Sequence, residues 1–284
     1  MNEYYPRLKK FLGEKITAYI ALLRPFTLLP PFLAGLFLII AKHGVYFDSF
    51  TKGIYVGITL ALAQACGQVI NQVVDKDLDK IIKPYRPIPR GIVTSEEAVG
   101  VAWILALLAV ARGFTVSIYF GLMTSLMLFF AVFYSLPPLS PRKINPWINH
   151  LWVSFSRSVL PLLAILEEKG FIYALLAFIW TFGWQTSKDV LDVEGDKMFG
   201  IKTIANTYGR DFVKKLALIS SIVFVMISIA FNKMIMLTMI PLMIFGYTKF
   251  YQKSKTENII GWAVFYIGLG MIFVLTAIDI FLEI

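Results

Sequence analysis

The sequence predicts an all-α polytopic membrane protein, with about nine transmembrane helices around a central cavity that cytoplasmic loops cap. Hydrophobic residues make up 58% of the 284-residue chain. The mean hydropathy is +0.71, a value that is rare for a soluble domain of this size. The apolar residues also come in runs close to the ~20 residues that a helix needs to cross a bilayer.

Applying that length divides the chain into nine candidate spans. They cover residues 17–41, 54–74, 96–112, 116–135, 147–166, 171–187, 211–231, 233–250 and 258–282. The third and sixth are short, and the boundary near Asn232 between the seventh and eighth is the least defined. No linker separates domains, so we expect one domain over residues 1–284, with related halves over roughly 17–135 and 147–282.

The distribution of basic residues predicts the orientation, because cytoplasmic loops keep an excess of Lys and Arg. Connections after odd-numbered spans hold five of the 27 basic residues: Lys42, Lys52, Arg112, Lys169 and Lys233. All others except Arg157 lie near the N-terminus or at even-numbered connections. We therefore expect a multi-pass protein of the cell membrane, with a cytoplasmic N-terminus and a site that opens to the cytoplasm. Topology accounts for the net charge of +9, so no nucleic acid partner is expected.

The first polar insert, NQVVDKDLDKIIKPYRPIPRG over residues 71–91, follows the second span. If the helix continues into it, Asn71, Asp75 and Asp79 are four residues apart and share one face. Two carboxylates and an amide oxygen on successive turns are hard ligands of the kind that Mg²⁺ binds.

A second insert, SKDVLDVEGDKMFGIKT over residues 187–203, repeats the pattern. Asp192 and Asp196 share a helix face, and Asp189 lies one turn earlier. The stretches VVDKDLDK and VLDVEGDK align, so that Asp75 matches Asp192. This weak internal repeat predicts two halves that grip one ligand from opposite sides.

A single pair of aspartates at this spacing is most often a solvated helix face. Here seven of the 18 acidic residues fall in the two inserts, which favours a shared metal site. His43 and His150 have no partner at ligand spacing, and Cys66 lies in an apolar run, so Mg²⁺ is preferred over zinc. Because Mg²⁺ usually completes its shell with phosphate oxygens and water, a phosphate or diphosphate ligand is expected.

Basic residues in the same connections suit such an anion. They are Lys83, Arg86, Arg90, Arg142, Lys143, Lys188, Lys197 and Lys202. Taken singly, each is more often a topology or headgroup charge.

These motifs resemble those of a known family. The first insert, NQVVDKDLD followed by PYRPIPRG, resembles the first motif of the UbiA superfamily of intramembrane prenyltransferases, and KDVLDVEGDK with GIKT resembles the second. The stretch YSLPPL from Tyr134, with Arg142 and Lys143 beyond it, is similar to the family's tyrosine-to-lysine segment. The resemblance covers nearly the whole chain. One departure is Gln72, where many members have a second acid.

The resemblance implies Mg²⁺-dependent transfer of an isoprenoid from a prenyl diphosphate, such as geranyl or geranylgeranyl diphosphate, to a lipophilic acceptor in the bilayer. Two Mg²⁺ ions are expected. The catalytic and metal-binding residues would be Asn71, Asp75, Asp79, Asp192 and Asp196. Substrate-binding residues would be Arg24, Arg86, Tyr134, Lys143, Arg157, Lys188 and Asp189. The proline and arginine tail is expected to fold back as a cap over the diphosphate, with Arg86 foremost.

Two arginines lie within or beside predicted spans. An arginine at mid-span costs about 2.5 to 3.5 kcal/mol on insertion scales, so Arg157 should face the bundle interior. It either contacts an acceptor anion or the diphosphate, or pairs with a buried group such as Asp279 or a backbone carbonyl. Arg24, beside Pro25, matches a basic position common in the family, and snorkelling explains it equally well.

The acceptor stays open between an aromatic quinone precursor, a glycerol-phosphate ether lipid and a chlorin. Aromatic side chains of the fourth and fifth spans would suit an apolar channel: Phe129, Phe130, Phe133, Tyr134, Trp152 and Phe155. A function of another class is an ion-coupled secondary transporter. Transporter acids belong near the bilayer midplane, whereas these aspartates lie at helix ends among basic loops.

Overall fold

The computed structural model describes residues 10–190, 192–250 and 257–283. Within them every regular element is helical. The α-helices are α1 Glu14–Leu23, α2 Leu29–His43, α3 Phe47–Val74, α4 Lys76–Ile82, α5 Ser95–Val116, α6 Ile118–Phe133, α7 Pro141–Ile144, α8 Pro146–Ser154, α9 Leu160–Leu166, α10 Phe171–Trp184, α11 Val193–Met198, α12 Ile204–Tyr208, α13 Arg210–Ala230, α14 Ile240–Phe250 and α15 Glu257–Glu283. The all-α class is therefore confirmed. Residues 1–9, which carry the predicted cytoplasmic N-terminus, lie outside the described residues.

Five helical stretches of the described chain are long and apolar enough to cross a membrane. They are Glu14–His43, Phe47–Val74, Ser95–Val116, Arg210–Ala230 and Ile260–Leu282. The segments Ile118–Phe133 and Met234–Lys249 are apolar but shorter. The count of nine spans stays a prediction.

The predicted fifth span is interrupted in the middle. Helix α8 ends at Ser154, and a π-helical turn, Phe155–Val159, leads into α9. The amide of Leu160 accordingly bonds to the carbonyl of Phe155, five residues back. Pro161 explains the break, because it has no N–H and its ring would clash with the carbonyl four residues earlier, that of Arg157.

The helices form a closed arrangement. Helix α3 packs against α2, α5 and α6, whereas α10 packs against α13 and α15. Helix α15 also packs against α2, so the last helix of the described chain closes the arrangement against the second. Helices α2 and α3 approach each other closely, because a Cβ on Gly35 would lie 2.2 Å from the amide nitrogen of Gly57. Glycine at both positions lets the two backbones touch.

A polar cluster, formed by Tyr173, Lys233 and Asp279, is buried at one end of the bundle. Nζ of Lys233 lies 3.0 Å from Oδ2 of Asp279, and the Tyr173 hydroxyl donates to the same oxygen over 2.7 Å. Near the aspartates, the Ser187 hydroxyl donates to the carbonyl of Gly261 in α15. Asp279 lies 18 residues further along the same helix, or about 27 Å away. The cluster therefore lies at the end opposite the aspartates.

The two acidic segments have the same local backbone. Asp75 lies between α3 and α4 with φ −89° and ψ 11°, and Asp192 precedes α11 with φ −89° and ψ 2°. The amide of Asp79 bonds to the carbonyl of Asp75 over 2.7 Å, as that of Asp196 does to Asp192 over 2.8 Å. Helical spacing therefore continues through each aspartate pair. The relation between the complete halves stays a prediction.

Candidate active site

A cavity of about 470 Å³ lies among these helices. Its polar wall contains every sequence-predicted site residue except Lys143: Arg24, Asn71, Asp75, Asp79, Arg86, Tyr134, Arg157, Lys188, Asp189, Asp192 and Asp196. Residues that are as far apart in the sequence as α1 and α11 thus meet at one surface.

The two acidic segments contact each other directly through Gly195. A Cβ at this position would lie 2.6 Å from Cγ2 of Ile82 and 3.3 Å from Cδ1 of Leu78. The absence of a side chain at Gly195 therefore lets α11 lie against α4. Lys83, at the end of α4, reaches across to the second segment, and its Nζ lies 2.6 Å from Oδ2 of Asp192.

Asp75 is held by the most complete set of partners. Arg142 forms a bidentate pair with it, over 2.6 and 2.7 Å. Asn71 donates to Oδ2 of Asp75 over 2.8 Å and also contacts the Ser135 hydroxyl over 3.1 Å. Arg142 is buried, and a fork-shaped pair of this kind fixes the carboxylate plane.

Lys143 differs from the other predicted site residues in its position. Lys143 is exposed, and it does not belong to the described wall of the cavity. Arg142 and Lys143 both lie in the short helix α7, where consecutive side chains point about 100° apart. The fold turns Arg142 to the interior, so its neighbour faces outward.

Asp79 pairs with Arg86, and both side chains are buried. The chain turns back after α4, with backbone bonds from Arg86 to Lys83 over 3.0 Å and from Arg90 to Arg86 over 3.1 Å. Burial raises the pKa of Asp79, and the Arg86 guanidinium opposes that rise. The proline and arginine tail therefore lies over the first acidic segment.

The second segment holds carboxylates under mutual repulsion. Nζ of Lys188 lies 2.6 Å from Oδ1 of Asp189. Asp196 has no side-chain hydrogen bond or ion pair with a described residue, and burial, followed by repulsion from Asp189 and Asp192, raises its pKa to about 7. Burial likewise raises the pKa of Asp189.

The donor chemistry of the cavity fits Mg²⁺. Five carboxylates and the Asn71 amide face one space, and a divalent cation would relieve the repulsion at Asp196. Among the described residues, however, no three His, Cys, Asp or Glu side chains lie close enough to hold an ion together. Four of the five carboxylates lie against a cation of the chain instead. The set of metal ligands stays a prediction.

Arg24 enters the cavity from the end of α1. It has a left-handed backbone with φ 52°, and its Nη1 donates to Oε1 of Gln68 over 2.8 Å. Gln72, the departure from the family motif, is 1% exposed and donates to the carbonyl of Leu22 over 2.6 Å. Gln72 therefore ties α3 to the last turn of α1 and is absent from the described cavity wall.

Arg157 lines the cavity from the π-helical turn. Its Nη1 donates to the hydroxyl of Tyr266, and it forms no ion pair with a described residue. Pairing with Asp279 is excluded, because Asp279 bonds to Lys233 and Tyr173 in the distant cluster.

Sequence reasoning missed several aromatic residues of the cavity wall, among them Tyr266 and Trp262. The Trp262 ring lies 4.5 Å from that of Phe26 and 5.0 Å from that of Tyr266. Both come from α15, where their only signal is a spacing of four residues in a largely apolar helix.

The remaining wall is apolar. Phe130 and Trp152 line it with their ring centroids 4.4 Å apart, and the Trp152 indole donates to the Phe130 carbonyl over 2.7 Å. Three other aromatics expected in a channel, Phe129, Phe133 and Phe155, are outside the described wall. A charged half thus adjoins a half suited to a hydrocarbon chain.

Known proteins resemble this chain over most of its length. The model of the UbiA prenyltransferase family matches residues 28–267. A digeranylgeranylglyceryl phosphate synthase of Methanosphaera stadtmanae is 29% identical over 209 residues, covering 72% of this chain and 74% of that protein. The bacteriochlorophyll synthase 33 kDa chain of Rhodobacter capsulatus is 27% identical over 214 residues, covering 70% and 69%. A structure of a UbiA homolog from Archaeoglobus fulgidus bound to DMAPP and Mg²⁺ has a TM-score of 0.71 at 19% identity, covering 94% and 99%.

Proposed function

This chain belongs to the UbiA prenyltransferase family and is an intramembrane prenyltransferase, and we propose that it prenylates the hydroxyl group of a lipophilic glycerol phosphate. The donor is a prenyl diphosphate, and pyrophosphate is released. The observation that carries the proposal is that both acidic segments and six cationic side chains line one cavity whose remaining wall is apolar. Family membership decides against the secondary transporter.

The choice of acceptor rests on the relatives. The synthase of Methanosphaera stadtmanae, named for digeranylgeranylglyceryl phosphate, is similar over 72% of this chain. Similarity to the bacteriochlorophyll synthase chain keeps a chlorin acceptor as the second candidate. An aromatic quinone precursor is the third.

The diphosphate would lie between the two acidic segments. Asn71, Asp75, Asp79, Asp192 and Asp196 would hold Mg²⁺, with Asp189 beside them. When bound, Mg²⁺ supplies positive charge to the oxygens of the leaving diphosphate. The DMAPP and Mg²⁺ complex of the archaeal homolog supports this assignment. We include two ions, one for each acidic segment.

The chain's own cations add to that charge. Arg142, Arg86 and Lys83 each face an aspartate of the site, so they lie where diphosphate oxygens would be bound. Cations fixed in advance stabilise the charge that develops on a leaving group at little reorganisation cost. In this proposal Arg86 acts from the folded tail as part of a cap.

The transfer breaks the bond between C1 of the prenyl chain and the diphosphate oxygen, whose electron pair leaves with pyrophosphate. The acceptor hydroxyl oxygen forms the new bond to C1, and its proton is released. The allylic carbon becomes electron-poor on the way and must be kept from water. Phe130 and Trp152 provide an apolar wall with aromatic faces for this carbon and its chain.

We also propose that the charged end of the cavity opens to the cytoplasm. The arrangement of basic residues along the sequence supports this orientation, since positive loops stay on that side. Water-soluble pyrophosphate would then leave into the cytoplasm.

The test uses purified protein, Mg²⁺, labelled geranylgeranyl diphosphate and three acceptor types: a glycerol phosphate ether, a chlorin and an aromatic acid. We expect transfer to the glycerol phosphate ether, and losses of more than about a hundredfold in Asp75→Ala and Asp192→Ala, since even outer partners of metal sites cost 10- to 100-fold. Asp77→Ala is the matched control, because Asp77 lies in the same segment but is exposed and pairs with Lys80 over 2.9 Å. Transfer only to a chlorin or aromatic acid would refute the acceptor, and turnover unaffected in both variants would refute the site.

A further inference from the structure

The positive charge of Arg157 differs from the other charges of the cavity. Four of the remaining cations each lie against a carboxylate: Lys83, Arg86, Arg142 and Lys188. Arg157 instead donates to a neutral hydroxyl, that of Tyr266, and no carboxylate among the described residues neutralises it. Placing a guanidinium within a membrane span costs free energy. We therefore expect the charge of Arg157 to serve a function.

The backbone brings Arg157 into the cavity by an irregular turn. The π-helical turn Phe155–Val159 is wider than an α-helical one and directly precedes Pro161. Such turns are rare and often occur at functional sites. Ser156, in the same turn, also lines the cavity.

The groups that surround this point are hydrogen-bond donors. A guanidinium carries five N–H donors and no acceptor, and one of those of Arg157 is used on Tyr266. The Tyr266 oxygen accepts this bond, which leaves its own O–H to donate. Lys188 lies within electrostatic range of Arg157. These donors, together with a guanidinium that no described carboxylate neutralises, are suited to an oxyanion.

Arg157 and Tyr266 come from other elements of the fold than the cations that lie against the aspartates. The cations that pair with the aspartates come from the segments that follow α4, α6 and α10, whereas Arg157 comes from the π-helical turn and Tyr266 from α15. Trp262 and Phe26 stack beside Tyr266, so the point borders on apolar surface. A lipid headgroup with an attached chain meets both requirements.

We propose that Arg157 and Tyr266 bind the phosphate monoester of the acceptor, apart from the diphosphate of the donor. The assignment rests on the proposed function, because it deepens the choice of a glycerol phosphate. The planar guanidinium matches two phosphate oxygens at once, and the Tyr266 hydroxyl holds its orientation. With the headgroup anchored there, the free hydroxyl of the acceptor would be held toward the donor.

The experiment combines variants of Arg157 and Tyr266 with acceptors that carry or lack the phosphate. Wild type, Arg157→Met, Arg157→Lys and Tyr266→Phe are assayed with a monoalkyl glycerol phosphate and with the same molecule lacking phosphate. We expect Arg157→Met to raise KM for the phosphorylated acceptor about 10- to 100-fold, as for a lost hydrogen bond to a charged group, with KM for geranylgeranyl diphosphate unchanged. The wild-type preference for phosphate should disappear. Lys169→Met, which removes an exposed charge, is the control.

Direct binding gives a readout that needs no turnover. Titration calorimetry in detergent with the monoalkyl glycerol phosphate alone should show binding to wild type, weaker binding to Tyr266→Phe and none to Arg157→Met. Arg157→Lys should be intermediate, and it replaces Arg157→Met if that variant does not fold.

Failure of the inference can be told from failure of the proposed function. If wild type prenylates the glycerol phosphate but Arg157→Met raises KM for geranylgeranyl diphosphate instead, Arg157 belongs to the donor site and the inference is overturned. Equal binding of the phosphorylated acceptor to wild type and variant also overturns it. If wild type neither binds nor prenylates the glycerol phosphate but accepts an aromatic acid or chlorin, the proposed acceptor falls and takes this inference with it.

Discussion

Nζ of Lys83 lies 2.6 Å from Oδ2 of Asp192, although 109 residues separate them in the chain. The pair joins the segment after α4 to the second acidic segment, and both side chains are mostly buried. Burial lowers the pKa of Lys83 and is the largest influence on it. The two halves of the proposed diphosphate site are thus linked by charge as well as by packing.

Removing this charge should weaken binding of the diphosphate. For Lys83→Met we expect KM for the prenyl diphosphate, and Kd for pyrophosphate, to rise about 10-fold or more, because hydrogen bonds to charged groups contribute about 1.5 to 3 kcal/mol. The measurements are steady-state kinetics and titration calorimetry. Lys80→Met is the control, since Lys80 is exposed and pairs with Asp77. Unchanged values in Lys83→Met would contradict a role in diphosphate binding.

Contact between α4 and α11 should depend on Gly195. In Gly195→Ala the new methyl would meet Ile82 at 2.6 Å, and we expect a net loss of about 1 to 2 kcal/mol, since overpacking costs 1 to 3 and alanine regains up to about 1 in a helix. Thermal unfolding and activity should both fall, and Ile82→Ala in the same chain should restore them in part. Gly100→Ala, with no atom within 4 Å of its Cβ, should not be destabilised. A fully active Gly195→Ala would show that the contact is not needed.

That the acidic residues meet at one cavity could be predicted from the sequence, since a spacing of four residues places them on one helix face wherever the helix continues. Other features depend on the direction of individual side chains. Arg142 and Lys143 are equivalent in the sequence, and only the packing of α7 separates them. Tyr266 and Trp262 are two among 24 Phe, 13 Tyr and 6 Trp, so composition could not select them. Pro161 indicates a break in the helix of the predicted fifth span. The spans are assigned by the length of apolar runs, and that criterion does not detect a proline.

Gln72 should act on the structure and not as a metal ligand. Gln72→Leu removes the donor to the Leu22 carbonyl, and Gln72→Glu also turns an acceptor toward it. A buried acceptor left without its partner costs about 1 to 3 kcal/mol, so we expect both variants to unfold at lower temperature, with Gln72→Glu at least as affected. Thermal unfolding with and without Mg²⁺ tests this. A Gln72→Glu protein that binds Mg²⁺ more tightly without loss of stability would indicate a ligand position.

Asp196 should make the stability of the metal-free protein depend on pH. Its pKa is raised from 3.8 to about 7 in the fold, so the folded state holds a proton that the unfolded state releases. The resulting stabilisation is complete below pH 3.8 and is lost as pH rises through about 7. Between pH 5 and 8.5, Tm of wild type should therefore fall relative to Asp196→Asn, which carries no titrating group there.

Adding Mg²⁺ with pyrophosphate should reverse this difference above pH 7, because the ionised carboxylate then has a cation to face. Parallel Tm profiles for wild type and Asp196→Asn, with and without Mg²⁺, would show that Asp196 is neither protonated in the fold nor close to the metal.

The cluster of Tyr173, Lys233 and Asp279 bears on whether the membrane potential affects the reaction. These residues are buried at the end opposite the aspartates and are absent from the described wall of the cavity. The described wall of the cavity therefore does not extend to that end of the bundle. We therefore expect that catalysis carries no charge from one face of the membrane to the other. Its rate should not depend on the membrane potential.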